Sequence, residues 1–239
     1  MSMQRLDKLL ASTGRWSRKE VKQLVKEGRV LVDGHFAKAS DDKIEETQAE
    51  IRVDGEQISF AQFRYVMLHK PAGVLSATED RHAGTVLDLL SPELQKLELF
   101  PVGRLDKDTE GLLLMTNDGA LAHRLLSPKH HVDKVYYALV DGPVGPEDCA
   151  AFEAGIRLGK EECMPAGLEI LHAGAQSEVL VTLREGKFHQ VKRMMESRGA
   201  PVLYLKRLSM GPLQLDPNLE KGQWRFLTKE EEENLRKVR

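Results

Sequence analysis

Asp106 lies in the run Gly103-Arg104-Leu105-Asp106-Lys107-Asp108-Thr109-Glu110-Gly111-Leu112-Leu113, between a basic residue and an apolar stretch, Leu112 to Met115, that reads as a strand. A carboxylate on such a turn acts as a nucleophile or general base when a fixed cation keeps it ionised. The plain alternative is a polar turn into a buried strand. Cations stand further along, in Glu185-Gly186-Lys187-Phe188-His189-Gln190-Val191-Lys192-Arg193-Met194. If a helix begins near His189, then His189, Lys192, Arg193 and Glu196 share one face, and Val191, Met194 and Met195 form another. His189 has no second His, Asp or Cys at ligand spacing, and His130-His131 are adjacent and point apart. Neither therefore reads as a metal site.

The elements that must position these groups fall into two parts. Leu6, Leu9 and Leu10 are spaced i, i+3, i+4, as are Val21, Leu24 and Val25, so two short helices each carry one apolar face. Ser17-Arg18-Lys19-Glu20 is a capping box that starts the second, and Gly28 stops it. Arg29–Gly34 and Ile51–Gly55 then read as strands ending in Asp-Gly turns. A boundary is expected near Ile58–Arg64, giving domains at residues 1–60 and 61–239. The second opens with the strand-like Tyr65–Lys70 running into Pro71-Ala72-Gly73. Helices are expected over Thr85–Leu90, Gly119–Leu126, Pro146–Gly155 and His189–Arg198, with a capped terminal helix after Thr228. Strands are expected over Leu112–Thr116, Val135–Val140, Glu178–Leu183, Val202–Leu208 and Gln223–Leu227. Because the rhythm is irregular, the fold class is α+β, with a mixed, mainly antiparallel sheet in the larger domain.

Charge is segregated more than the net value of -2 suggests. Residues 1–34 hold eight basic side chains against four acidic ones, and residues 35–60 hold seven acidic against three basic. A second basic cluster runs through Arg184, Lys187, Lys192, Arg193, Arg198, Lys206 and Arg207. Local basic faces of this kind fit RNA phosphates. Aromatics make up only 5% of the chain, so any base stacking must come from a few identifiable rings. No apolar run reaches the ~18 residues needed to span a membrane, and Met1-Ser2-Met3-Gln4 does not open a secretory signal. Cys149 and Cys163 read as reduced thiols, and the cytoplasm is the expected compartment. Gly155-Ile156-Arg157-Leu158-Gly159-Lys160 is one residue short of a nucleotide-binding loop and lacks its Ser/Thr. A retaining glycosidase would need a second carboxylate about 5–5.5 Å from the first. Asp108 and Glu110 are near in sequence, but nothing else resembles such a site.

Taken together, Lys70-Pro71-Ala72-Gly73, the G-R-L-D-x-x-T-x-G-L-L run around Asp106, Lys134-Val135-Tyr136 and the Glu185–Met194 segment resemble, in order, the motifs of pseudouridine synthases that modify ribosomal RNA. Residues 3–60 resemble the small RNA-binding module named after ribosomal protein S4. The resemblance implies that Asp106, Tyr136 and Lys192 are catalytic, with Tyr136 packed on the target base and Lys192 paired to Asp106. Arg193 is a neighbouring candidate for that pairing. Lys192 stands where many relatives carry arginine, which removes a bidentate pair but not the charge pairing. RNA contacts are implied for Arg15, Arg18, Lys19, Lys22, Lys26, Arg104, Lys134, His189, Gln190 and Arg193, with no metal and no cofactor. Among family branches the chain looks most like the small-subunit one, with uridine-516 of 16S rRNA as the implied target. The implied partner is 16S rRNA or a small-subunit assembly intermediate, met by a monomer without membrane or nucleotide cofactor. The alternatives are a 23S rRNA enzyme of the same family and a non-catalytic assembly factor.

Overall fold

Residues 3–45, 49–58 and 63–238 are described in the computed structural model of the protein. They group into two units, Met1–Arg64 with Leu90–Leu99, and Tyr65–Leu89 with Phe100–Arg239. Residues 59–62, where the domain boundary was expected, lie outside the described residues, as does Glu46 of the acidic segment.

In the first unit, strand β1 (Met3–Arg5) leads into helix α1 (Leu6–Ala11), and helix α2 (Arg18–Lys26) follows. The two predicted leucine and valine triplets are buried and pack with Val30, Ile51, Val53 and Ile58. Ser17 N donates to Glu20 Oε2 at 2.6 Å while Glu20 N donates to Ser17 Oγ at 3.3 Å, which closes the capping box. Strands β2 (Val30–Val32), β3 (His35–Phe36), β4 (Lys43–Glu45), β5 (Ile51–Val53) and β6 (Glu56–Ile58) form an antiparallel sheet ordered β3-β2-β5-β6 and a separate β1-β4 pair. Both Asp-Gly turns have positive φ at each central residue, 51° and 78° at Asp33-Gly34 and 52° and 83° at Asp54-Gly55. This is the two-residue hairpin geometry that matches strand twist. Leu90–Leu99 contains the short helix α3 (Pro92–Gln95) and joins this unit, a return that no local signal announces. Gly14, at φ 75°, permits the approach: a Cβ there would stand 2.5 Å from the Glu93 carbonyl oxygen.

The second unit is built on a nine-stranded sheet. Its strands are β7 (Tyr65–Lys70), β8 (Phe100–Pro101), β9 (Glu110–Thr116), β10 (Lys134–Asp141), β13 (Gly167–His172), β14 (Gln176–Leu183), β15 (Val202–Met210), β16 (Leu213–Gln214) and β17 (Trp224–Phe226). The short pair β11 (Arg157–Leu158) and β12 (Glu161–Glu162) stands apart. The order is β13-β14-β10-β15-β9-β7-β17, with β16 on β15 and β8 on β9. Every pairing is antiparallel except β15 with β9, so the mixed, mainly antiparallel sheet is as expected. Every residue of β7 and β9 is buried, as strands covered on both faces require, whereas β10 and β14 alternate. Helices α4 (Gly119–Leu126), α5 (Pro146–Ala154), α6 (Gln190–Ser197) and α7 (Lys229–Arg236) complete the unit. The expected helix at Thr85–Leu90 shrinks to a single 3-10 turn, Leu87–Leu89. Asp88 Oδ2 accepts from both Thr85 N and Thr85 Oγ1, and Ser91-Pro92 restarts the chain as α3.

Candidate active site

The loop carrying Asp106 joins β8 to β9, and its backbone is tied down from the end of β7 and the segment that follows it. Lys70, the last residue of β7, is fully buried. Its Nζ lies 3.1 Å from Pro71 O, 3.0 Å from Asp106 O, 3.3 Å from Lys107 O and 2.9 Å from Thr109 O. Burial lowers the Lys70 pKa to about 8, against the pull of Asp108, Asp106 and Glu110 towards a higher value. Gly73 N donates to Lys107 O at 2.7 Å, and Ser76 Oγ both donates to Leu105 O and accepts from Leu105 N. The Lys-Pro-x-Gly segment is thus the clamp on the Asp106 loop.

The Asp106 carboxylate faces two nitrogen groups. Lys192 Nζ stands 3.3 Å from Oδ2, and His189 Nε2 stands 3.6 Å from Oδ1. Lys192 also donates to Asp108 Oδ1 at 2.5 Å. That hydrogen bond holds the Asp108 carboxyl below the usual carboxylate range, although burial opposes it. One lysine is therefore shared by two carboxylates, a point-charge arrangement that an ammonium permits. Helix α6 delivers both groups: Val191, Met194 and Met195 are buried, which turns Lys192 to the cleft side. His189 sits just before α6 in a left-handed conformation, φ 49° and ψ 35°. Its ring stacks on Phe188 with centroids 3.8 Å apart.

Tyr136 comes from β10, which pairs with β14 on one side and β15 on the other. The β10–β15 register shifts between Val135 and Tyr136, as bulges beside active sites do to re-aim a side chain. Arg104, Leu105, Asp106, Thr109, Tyr136, Leu183, Gly186, Lys187, His189, Gln190, Val191 and Leu205 line one open cavity. The cavity has an apolar wall and a carboxylate at its edge, which suits a flat heteroaromatic ring presented to a nucleophile or base.

Asp106, Tyr136 and Lys192 thus come together, as do Arg104 and His189. Arg193 takes a different partner, Glu161 at 2.7 Å, and leaves the Asp106 pairing to Lys192. Lys134 and Gln190 differ from the expectation of RNA contact, because both are buried. The alternation of β10 turns Lys134 inward, where its Nζ donates to Val132 O at 3.0 Å. Burial, and then Arg207, lower its pKa. Gln190 forms part of the cavity wall, but its amide is committed to Lys187 N and to Glu185 Oε1. Arg207, counted in the second basic cluster, is only 2% exposed and donates to Leu112 O. Glu110 points away from the cavity chemistry: burial raises its pKa, but hydrogen bonds from Lys221 and Tyr204 outweigh that and hold it low.

In the first unit, Arg18, Lys19, Lys22 and Lys26 are exposed along α2. Arg15 makes a two-pronged pair with Glu56 at 2.8 and 2.7 Å and lies over the Trp16 ring. Two features of the cleft escaped the sequence reading. The Lys192–Asp108 tie joins residues 84 apart, and Phe188 stands exposed next to a residue of positive φ, His189. Among the described residues, no three His, Cys, Asp or Glu side chains gather as metal ligands would, and no helix is long and apolar enough to cross a membrane.

Residues 64–197 match the family model described as RNA pseudouridylate synthase, and residues 4–51 match the S4 domain. A Bacillus subtilis protein named as an uncharacterized RNA pseudouridine synthase is 50% identical over 95% of this chain and 96% of its own. The ribosomal small subunit pseudouridine synthase A of Vibrio cholerae is 42% identical over 95% of this chain and 97% of its own. A crystal structure of a pseudouridylate synthase superposes with a TM-score of 0.68 at 36% identity, covering 97% of this chain and 99% of that one. With its motifs assembled around one cavity and its likeness extending over almost the whole length, the chain belongs to the RNA pseudouridylate synthase family and is an isomerase that opens with an S4 domain.

Proposed function

We propose that the protein converts one uridine of ribosomal RNA to pseudouridine, that the RNA is 16S rRNA and the uridine is uridine-516, and that Asp106 performs the chemistry. Support for the RNA comes from relatives named as small-subunit enzymes over nearly the full length. Residues 1–60 grip the RNA through Arg15, Arg18, Lys19, Lys22 and Lys26, and residues 61–239 carry out the isomerisation. Arg104 and His189 meet RNA at the cleft. The substrate is 16S rRNA or a small-subunit assembly intermediate, and the protein works in the cytoplasm as a monomer.

The observation that carries this reading is the placement of Asp106: its carboxylate lies in a cavity walled by Tyr136 and is faced by Lys192 and His189. The reaction breaks the bond between uracil N1 and the ribose, turns the freed base, and joins C5 to the same sugar carbon while C5 gives up its proton and N1 ends protonated. Reactant and product are isomers, so no oxidant, energy source or metal enters the balance. The Asp106 carboxylate, with Lys192 Nζ 3.3 Å away, attacks the base or sugar, or takes a proton from the sugar. The uridine must leave its stack to reach that carboxylate, and Tyr136 gives the extruded ring a wall.

Asp106→Asn tests the reading. The amide has nearly the same shape but is neither charged nor nucleophilic, so the variant keeps its fold and RNA affinity and forms no detectable pseudouridine. Near-normal turnover by the variant would remove Asp106 from the mechanism. Mapping pseudouridine in the rRNA of a strain that lacks the gene identifies the target: loss of the modification anywhere other than uridine-516 overturns that assignment.

A further inference from the structure

We infer that the Phe188 ring is a stacking platform for a second unpaired RNA base, the one next to the target uridine in the strand. The inference rests on the cavity being the site of an extruded uridine. Phe188 is 75% exposed, more than any other large hydrophobic side chain among the described residues. A phenylalanine so fully open to water contributes little to the fold, yet it has a ring partner. Its ring lies on His189 with centroids 3.8 Å apart and planes 17° from parallel. His189 in turn places Nε2 3.6 Å from Asp106 Oδ1. Two stacked rings therefore stand at the edge of the cavity, with His189 nearer the carboxylate.

The backbone around the ring is unusual and hydrogen-bonded on both sides. His189 has φ 49°, in the left-handed region that residues other than glycine seldom occupy. The first turn of α6 holds the segment on both sides: Lys187 N donates to Gln190 Oε1 at 2.9 Å, and Arg193 donates to Phe188 O at 3.3 Å. Local strain that persists because its surroundings over-determine it is typical of functional sites. Here it accompanies an aromatic face presented to solvent one ring away from the candidate nucleophile.

An RNA base is the occupant whose chemistry fits. When a uridine leaves its stack, the base beside it loses a partner and exposes a flat face to water. A rigid phenyl ring replaces that partner, and it tolerates any base because every base has a π-face. Exposed Arg104, which lines the same cavity, supplies charge for a phosphate between the two nucleotides. Aromatic residues are few in this chain, and Tyr136 and Phe188 then divide the stacking between target and neighbour.

The test uses the full-length protein and a 16S rRNA fragment containing the target uridine. The fluorescent base 2-aminopurine replaces the 5′ neighbour in one probe and the 3′ neighbour in another. Wild-type protein quenches one of the two probes on binding. Phe188→Leu and Phe188→Ala lose that quench and bind about tenfold or more weakly, while Phe188→Trp restores both. Circular dichroism shows whether each variant is folded, and the tryptophan variant keeps the test decisive if the smaller ones fail. Quenching and affinity unchanged in Phe188→Leu overturn the platform, because leucine keeps apolar contact but has no π-face. Retained affinity in leucine with loss in alanine overturns it too, since that pattern marks ordinary apolar packing. Both readouts are taken on binding, without turnover. A wild-type protein that quenches the probe but forms no pseudouridine therefore refutes the uridine reading and, with it, the assignment of the stacked base as the neighbour of a target. Pseudouridine formation with no Phe188-dependent quench refutes the platform alone.

Discussion

Lys70 is the residue on which the Asp106 loop depends, and its charge gives it a measurable signature. One ammonium serves carbonyls of Pro71, Asp106, Lys107 and Thr109 from a fully buried position. Replacing it with methionine keeps most of the volume but strips those acceptors of their donor, which should cost about 1–3 kcal/mol at pH 7 and lower the rate of pseudouridine formation. The pH dependence has a definite sign. The native pKa of about 8 is below the 10.5 of the free side chain, so the unfolded chain holds the proton more tightly. The native state bears the whole burden of the buried charge below pH 8 and is relieved of it as pH rises from about 8 towards 10.5. Urea unfolding of wild type and Lys70→Met should therefore show the wild type gaining on the variant between pH 7 and pH 9.5. A constant difference would mean that Lys70 does not titrate in that window.

Strands β9 and β15 are the elements whose contact sets the cleft, and they meet in the sheet's one parallel pairing, Glu110 opposite Lys206 and Gly111 opposite Arg207. Gly111 makes the contact possible. Its φ is 110°, and a Cβ there would come within 2.2 Å of the Arg207 carbonyl oxygen. The three nearest atoms are all Arg207 backbone, which leaves nothing soft to yield. Gly111→Ala should destabilise the protein by about 3 kcal/mol or more, combining overpacking with an unfavourable backbone conformation. The shift in urea midpoint measures it, and a change below ~1 kcal/mol would show that the strands separate at little cost. The same reasoning explains why a glycine follows Glu110 in the Asp106 run: it serves the sheet, while Asp106 serves the chemistry.

For the whole molecule, the division into two units changes how the RNA grip is best tested. Leu90–Leu99 belongs with the N-terminal unit, where Glu93 and Leu97 come against Gly14. Cutting away residues 1–60 would strip that segment of its partners and confuse lost binding with lost structure. Arg18, Lys22 and Lys26 follow one another at four-residue spacing on α2, and all three are exposed. Replacing them together with alanine should leave the fold intact and weaken rRNA binding. It should also reduce the slope of log affinity against log salt by about 2, since each phosphate contact contributes roughly 0.7 to 0.9. An unchanged slope would assign phosphate binding to another surface.

Local order was legible in the amino-acid sequence because its causes are local. The Ser17 and Thr228 capping boxes, the two Asp-Gly turns and the apolar faces of α1 and α2 each depend on residues within a few positions of one another. The motif around Asp106, with Tyr136 and Lys192, was legible for another reason: together these residue types in this order resemble a family whose fold is the one found. What the sequence could not supply was the partner of each charged group. Lys134 and Gln190 carry the same polar chemistry whether buried or exposed, and only the alternation of β10 and the turn before α6 send them inward. Arg207 sits in a run of basic residues, yet pairing with β9 buries it. The joining of Leu90–Leu99 to the first unit and the sharing of Lys192 by Asp106 and Asp108 likewise arise from contacts between distant segments. Such contacts exist only once the chain has closed on itself, so the tertiary structure alone decides them.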